Sequence, residues 1–239
     1  MRKLSKKLKA LLVFLLVFAC VFTFLFFNGY SGLHLRKKAN DGQIKVACVG
    51  DSVTYGHAVD IWFQNNYPVV LQNLLGDEYL VNNYGVSCAT IQKTGDFPYL
   101  KTKSYKPSIE FDADILVFML GSNDTKPYNW TDKETFKKEY IELLNSYLND
   151  NNPEVYLCTV SRVFYKDPEQ TTGESTYFVQ ENIIKIVNEV VREIAEEFDY
   201  NLIDIYSVTN EHREWYKDYV HPEADGAKAI AEEIYNNIK

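Results

Sequence analysis

Ser52, Gly85, Asn123, Asp218 and His221 are the residues whose types and positions suit a single piece of chemistry. Ser52 follows Gly50-Asp51 at the end of the apolar run Ile44–Val49. Gly85 closes the run Tyr79–Tyr84, and Asn123 lies in Gly121-Ser122-Asn123-Asp124 directly after the apolar stretch Asp114–Leu120. Asp218 and His221 stand three residues apart just before the last amphipathic segment. A serine hydroxyl is a weak nucleophile until a base removes its proton, and imidazole titrates in the right range for that task. A carboxylate on the other ring nitrogen would orient the imidazole and stabilise its charged form. The oxyanion of a tetrahedral intermediate then needs preorganised donors. The N–H groups of Ser52 and Gly85 and the side-chain amide of Asn123 are the candidates. This is the chemistry of acyl transfer, and it requires neither metal nor cofactor.

The elements that must position these groups follow from the hydrophobic pattern. Short apolar runs at 44–49, 79–84, 114–120, 154–160 and 201–206 read as buried strands. Helical spacing marks 67–75, a long amphipathic stretch from Val179 to Phe198, and a final helix over 224–238. Thr131-x-x-Glu134 has the form of a capping box, which predicts a helix from there to about residue 149. Residues 86–113 show no clear period, and a long patternless loop in a compact domain is often functional. Strands alternating with helices predict a parallel sheet covered on both faces, with every carboxyl-end turn opening on one side. Asp51 and Asp124 are expected to brace two of those turns. His57 and His212 are alternative bases without the partner spacing of His221.

The first forty residues differ from the rest. Residues 1–9 carry five basic groups and no acid, and residues 10–27 carry no charge at all. At about 1.5 Å per residue, such a helix is close to the thickness of a bilayer. The excess of positive charge before it predicts a cytoplasmic N-terminus and a globular part outside. The alternative is a cleaved signal peptide and a secreted product, although no A-x-A-like site precedes Asn28. Residues 28–42 read as a tether and 43–239 as the folded domain. From residue 39 onward the chain has 17 basic against 33 acidic groups, a formal charge of −16 that repels nucleic acid. The four cysteines show neither a disulfide framework nor zinc-ligand spacing.

Four blocks occur together and in order: Gly50-Asp51-Ser52, Asn83-Tyr84-Gly85-Val86-Ser87, Gly121-Ser122-Asn123-Asp124, and Asp218-x-x-His221. In this the chain resembles the SGNH hydrolases, also called the GDSL esterase/lipase family. The resemblance implies a flavodoxin-like three-layer α/β/α sandwich around a five-stranded parallel sheet. It implies Ser52 as nucleophile, Asp218 and His221 as the rest of a triad, and an oxyanion hole of Ser52, Gly85 and Asn123. Cys88 departs from the family's pattern, because small residues, often glycine, are common there.

The implied activity is a serine carboxyl-ester hydrolase. Trp62, Trp130 and Trp215, with Phe97, Pro98 and Tyr99, either form an aromatic rim that stacks on sugar faces or pack locally. An anchored, outward-facing enzyme meets glycans first, so the expected substrate is a short acyl ester, acetyl above all, on a carbohydrate. The competing readings are an acyltransferase that delivers acetyl to a wall glycan, and a non-catalytic carbohydrate-binding domain of the same fold.

Overall fold

Alternating strand and helix segments build a five-stranded parallel sheet of order β2-β1-β3-β4-β5. The computed structural model describes residues 5–27, 36–148, 152–170, 172–173 and 175–239. In chain order, α1 (Lys6–Phe27) is followed by β1 (Ile44–Gly50), α2 (Ser52–Tyr55), α3 (Trp62–Asn65), α4 (Tyr67–Leu75) and β2 (Tyr79–Asn83). Next come α5 (Tyr105–Glu110), β3 (Ile115–Met119), α6 (Lys133–Asn145), β4 (Glu154–Cys158), α7 (Glu181–Phe198), β5 (Asn201–Ile203), α8 (Ile205–Thr209) and α9 (Ala224–Ile238).

β1 lies between β2 and β3, with Cys48 opposite Asn83 and Gly50 opposite Met119. The order of strands reverses at this point, and in open α/β sheets the crevice at such a reversal is where ligands bind. Val46 to Val49 of β1 and Val117 and Phe118 of β3 have no exposed surface. Strands covered on both faces have no polar face to alternate with, which explains their continuous apolar runs. α4 packs with α9, and α6 with α7, giving the sheet its flanking helices. The core-facing residues of α7 include Ile184, Val187, Val191 and Ile194, at helical spacing.

Several local details differ from the sequence-based expectation. The cap of α6 is Asp132, whose carboxylate accepts from the Thr135 N–H at 2.7 Å. The Thr131 hydroxyl instead donates to Gln92 Oε1, tying the 86–98 loop to the start of the helix. β5 stops at Ile203 because Asp204 caps α8, accepting from the Ser207 N–H. The patternless 86–113 stretch contains a 3-10 turn at Tyr99–Lys101 and the short helix α5, which precedes β3. The tether residues 28–35 lie outside the described residues. Its end is fixed: Arg36 donates to Ser104 Oγ at 2.6 Å, and Lys37 pairs with the Asn82 amide through both backbone groups.

α1 is exposed and is the one helix, among the described residues, long and apolar enough to cross a membrane. A signal sequence has the same character.

Two glycines hold the crowded end of β1. A Cβ on Gly50 would lie 2.7 Å from the Met119 carbonyl oxygen, and one on Gly85 would lie 2.2 Å from the Tyr55 nitrogen. The turn carrying Ser52 therefore packs directly on the chain leaving β2. Gly85→Ala is expected to destabilise the fold by about 1–3 kcal/mol, read as a lower urea midpoint, because rigid backbone has to move.

Candidate active site

Ser52 enters its turn because β1 ends at Gly50 and Asp51 caps α2. The Asp51 carboxylate accepts from the Val53 N–H at 3.0 Å, and burial pushes its pKa up. Ser52 is the first residue of that helix, where a backbone N–H has no intrahelical acceptor. The side chain is largely buried, and its Oγ lies 2.9 Å from His221 Nε2.

His221 is set by its own turn. Asp218 Oδ1 accepts from the backbone N–H groups of Val220 (3.0 Å) and His221 (2.8 Å), and the intervening Tyr219, directly after Asp218, is in the left-handed region. Asp218 Oδ2 lies 2.7 Å from His221 Nδ1. A carboxylate accepts only, so Nδ1 carries the proton and Nε2 is left to accept from the Ser52 hydroxyl. Burial pushes the Asp218 pKa up, but hydrogen bonds and charge from His221 outweigh it and hold the carboxyl at about 2. His57 packs beside this pair, its ring centroid 4.6 Å from that of His221. Burial, reinforced by the neighbouring His221, lowers its pKa to about 4, so it is neutral at neutral pH. His212 pairs with Glu214, stacks on Trp215 and does not line the site.

Asn123 leaves the end of β3, next to β1 in the sheet. Its Nδ2 donates to the Ala89 carbonyl at 3.2 Å, leaving a second N–H on the same nitrogen, and the residue lines the pocket with Ser52 and His221. Asp124 is fully buried and ties this turn to the 86–98 loop, accepting from Ile91 N–H at 2.9 Å and Gln92 N–H at 2.8 Å. Burial raises its pKa to about 7.

Gly85 is the exception in the expected set. Its N–H donates to Asn83 Oδ1 at 2.8 Å, and Gly85 does not line the pocket. Its requirement for glycine comes from the approach to Tyr55 rather than from access to a ligand. Three residues on, Cys88 does line the pocket, in the left-handed region with φ 68°, and its N–H has no partner among the described residues. The resemblance had marked Cys88 only as a departure from a small residue. Its backbone conformation is the one glycine favours, which accounts for the small residues common there.

The pocket encloses about 270 Å³. Of the two readings of Trp62, Trp130, Trp215, Phe97, Pro98 and Tyr99, a rim or local packing, the structure favours packing, since none of the six borders the pocket. Trp62 and Tyr99 are buried in the core, Trp130 packs on Phe136, and Trp215 stacks on His212. The rings that line the pocket are Tyr128, Tyr177 and Phe178, from two segments without periodic pattern. Among the described residues, no cluster of His, Cys, Asp and Glu is arranged to hold a metal ion.

A depressed carboxyl pKa makes a defined contribution to stability. The folded chain binds the Asp218 proton less readily than the unfolded chain does. The ionised group therefore stabilises the fold above the ordinary Asp range, and that stabilisation is lost as pH falls from about 4 toward 2. Urea denaturation should show the stability gap between wild type and Asp218→Asn in full at neutral pH and shrinking through that window. A gap that stays constant down to the lowest pH would contradict the assignment.

Comparison with known proteins bears on the family and the fold. Residues 48–229 match the GDSL-like Lipase/Acylhydrolase family. The chain is 32% identical over 218 residues to an acetylxylan esterase from Xylanibacter ruminicola, covering 83% of this chain and 44% of that protein. The chain thus spans less than half the length of that curated relative. Among solved structures, a carbohydrate acetylesterase from Sinorhizobium meliloti superimposes with a TM-score of 0.65 at 16% identity, over 82% of this chain and 98% of that one. An acetyl xylan esterase structure gives a TM-score of 0.65 at 21% identity, over 82% and 100%. At such identities the structural likeness concerns the fold, whereas the family match spans most of the chain. The chain belongs to the GDSL-like lipase/acylhydrolase family.

Proposed function

We propose that the protein is a serine ester hydrolase that removes short acyl groups, acetyl above all, from carbohydrates. The observation that carries this reading is the Ser52–His221–Asp218 hydrogen-bonded chain on the wall of a small pocket. Support for the substrate class comes from the acetylxylan esterase relative, and the modest pocket volume suits a short acyl group.

In this mechanism Ser52 Oγ attacks the ester carbonyl carbon while His221 Nε2 takes the hydroxyl proton. Asp218 holds the resulting imidazolium through Nδ1–H and stabilises its charge. The carbonyl oxygen gains the negative charge and accepts from the N–H of Ser52, the N–H of Cys88 and the remaining Nδ2–H of Asn123. Gly85 has no part in this hole, because its N–H is committed to Asn83. The tetrahedral intermediate collapses, the alcohol leaves with the proton from His221, and an acyl-Ser52 ester remains. Water, deprotonated by His221, then attacks that ester and releases the carboxylic acid. Neutral His57 leaves the imidazolium unopposed by a second positive charge at neutral pH.

A substitution series on p-nitrophenyl acetate tests the roles separately. Ser52→Ala should abolish turnover with the fold retained, and Asn123→Ala should lower kcat by about 10²–10³-fold. Cys88→Gly should stay within about threefold of wild type, since the donor is a backbone N–H and glycine suits that conformation. Loss of turnover in folded Cys88→Gly would assign the function to the thiol and sink the backbone-donor role.

In the same reading α1 is an uncut anchor. The basic flank before it keeps the N-terminus cytoplasmic, and the catalytic domain, from about residue 43, faces outward. Full-length protein should then remain in the membrane pellet after an alkaline carbonate wash. Recovery of a shortened, soluble form from the medium would identify a cleaved signal sequence instead.

A further inference from the structure

On the wall of the catalytic pocket stands a lysine whose stem is packed and whose ammonium makes no hydrogen bond to the described residues. The Lys126 side chain is 6% exposed and lines the pocket, and its Nζ makes no hydrogen bond among the described residues. The nearest carboxylate oxygen, Asp96 Oδ2, is 4.0 Å away. Asp96 is held at that distance by Asn129, which donates to its Oδ1 and accepts from its N–H, each at 2.8 Å. The face of the Tyr128 ring lies 6.0 Å from the ammonium. The stem is packed away while the ammonium lines the pocket, so its N–H donors are available to an acceptor oxygen of a bound ligand. Asp96 already supplies countercharge. With that charge in place, a neutral acceptor oxygen is a sufficient partner for the remaining N–H donors.

The apolar surface beside it is built with equal care. Tyr128 and Phe178 meet edge to face at 6.3 Å, yet they remain 58% and 53% exposed. Their two segments are joined by Gln180, whose N–H donates to Thr125 Oγ1 at 3.1 Å and whose amide donates to the Thr125 carbonyl at 2.8 Å. Tyr177 and Phe178 both sit in the left-handed region, a costly conformation for aromatic residues that persists only where surrounding contacts impose it. Tyr177 in turn packs against the His221 ring at 5.4 Å. Exposed rings and one directed donor thus stand next to the reacting serine, the combination that holds a sugar, with its apolar face and its ring of acceptor oxygens.

We propose that Lys126, Tyr128 and Phe178 form a saccharide subsite that binds the alcohol side of the ester. One pyranose ring stacks on the Tyr128–Phe178 surface, and one of its neutral oxygens accepts from Lys126 Nζ. This rests on the esterase reading and names how the carbohydrate is held.

The test compares acetylated xylo-oligosaccharide with p-nitrophenyl acetate for full-length wild type, Lys126→Met and Phe178→Ala. The ratio of kcat/KM on the saccharide to that on the aryl ester should fall about 10-fold or more in each variant, mainly through KM. Phe178 is exposed, so its truncation keeps the test valid even where Lys126→Met misfolds. Ratios unchanged from wild type would overturn the subsite, as would a wild type that cleaves the aryl ester but not the saccharide. The serine-esterase chemistry stands in both cases, whereas in the second the carbohydrate substrate falls together with the subsite. A wild type that cleaves neither ester would overturn the esterase reading and the subsite with it.

Discussion

One hydrogen bond, 2.9 Å between Ser52 Oγ and His221 Nε2, joins residues 169 positions apart and sets the demands on the rest of the fold. Such a bond weakens steeply with misalignment, so both ends need rigid supports. On the serine side the support is β1, its Gly50 turn and the Asp51 cap. On the histidine side it is a turn closed by three contacts to one carboxylate, all from Asp218. The parallel sheet brings the two together because its carboxyl-end turns open on one side.

Burial sharpens this arrangement. Ser52 and His221 are nearly inaccessible to solvent, so electrostatic interactions between them and Asp218 are less screened than at the surface. Asp218 remains ionised because its hydrogen bonds outweigh the cost of desolvation. For His57 the balance goes the other way: burial and the neighbouring His221 outweigh the charge of Asp218, and the ring is driven neutral. Two imidazoles in contact thus take different roles from their environments alone.

The loops are braced by carboxylates that take no part in the proposed chemistry. Asp124 clamps the 86–98 loop, while Glu181 accepts from the Val163 N–H at 3.1 Å and fixes another stretch of the pocket wall. Irregular segments have no ladder of their own, so side-chain acceptors must satisfy their buried N–H groups. This network also explains why the patternless 86–113 region is ordered around the site rather than loose above it.

The sequence alone was enough for features encoded by near neighbours. Uninterrupted apolar runs mark doubly covered strands, each run ends in a recognisable turn, and Asp218-x-x-His221 is a local turn whose partners are three residues apart. The helix pattern of α7 was equally legible. Local pattern misled where a longer-range contact took priority: Asp132 rather than Thr131 caps α6, because Gln92 from a distant loop engages the Thr131 hydroxyl. Only the tertiary structure decided which of two nearby amides is left without a partner among the described residues. Gly85 and Cys88 lie three residues apart in one loop, and the contacts of Asn83 and Tyr55 commit the first and leave the second open. The pocket walls were invisible for the same reason. Lys126, Tyr128 and Phe178 follow no period, and the tie from Gln180 to Thr125, 55 residues apart, is what makes them one surface.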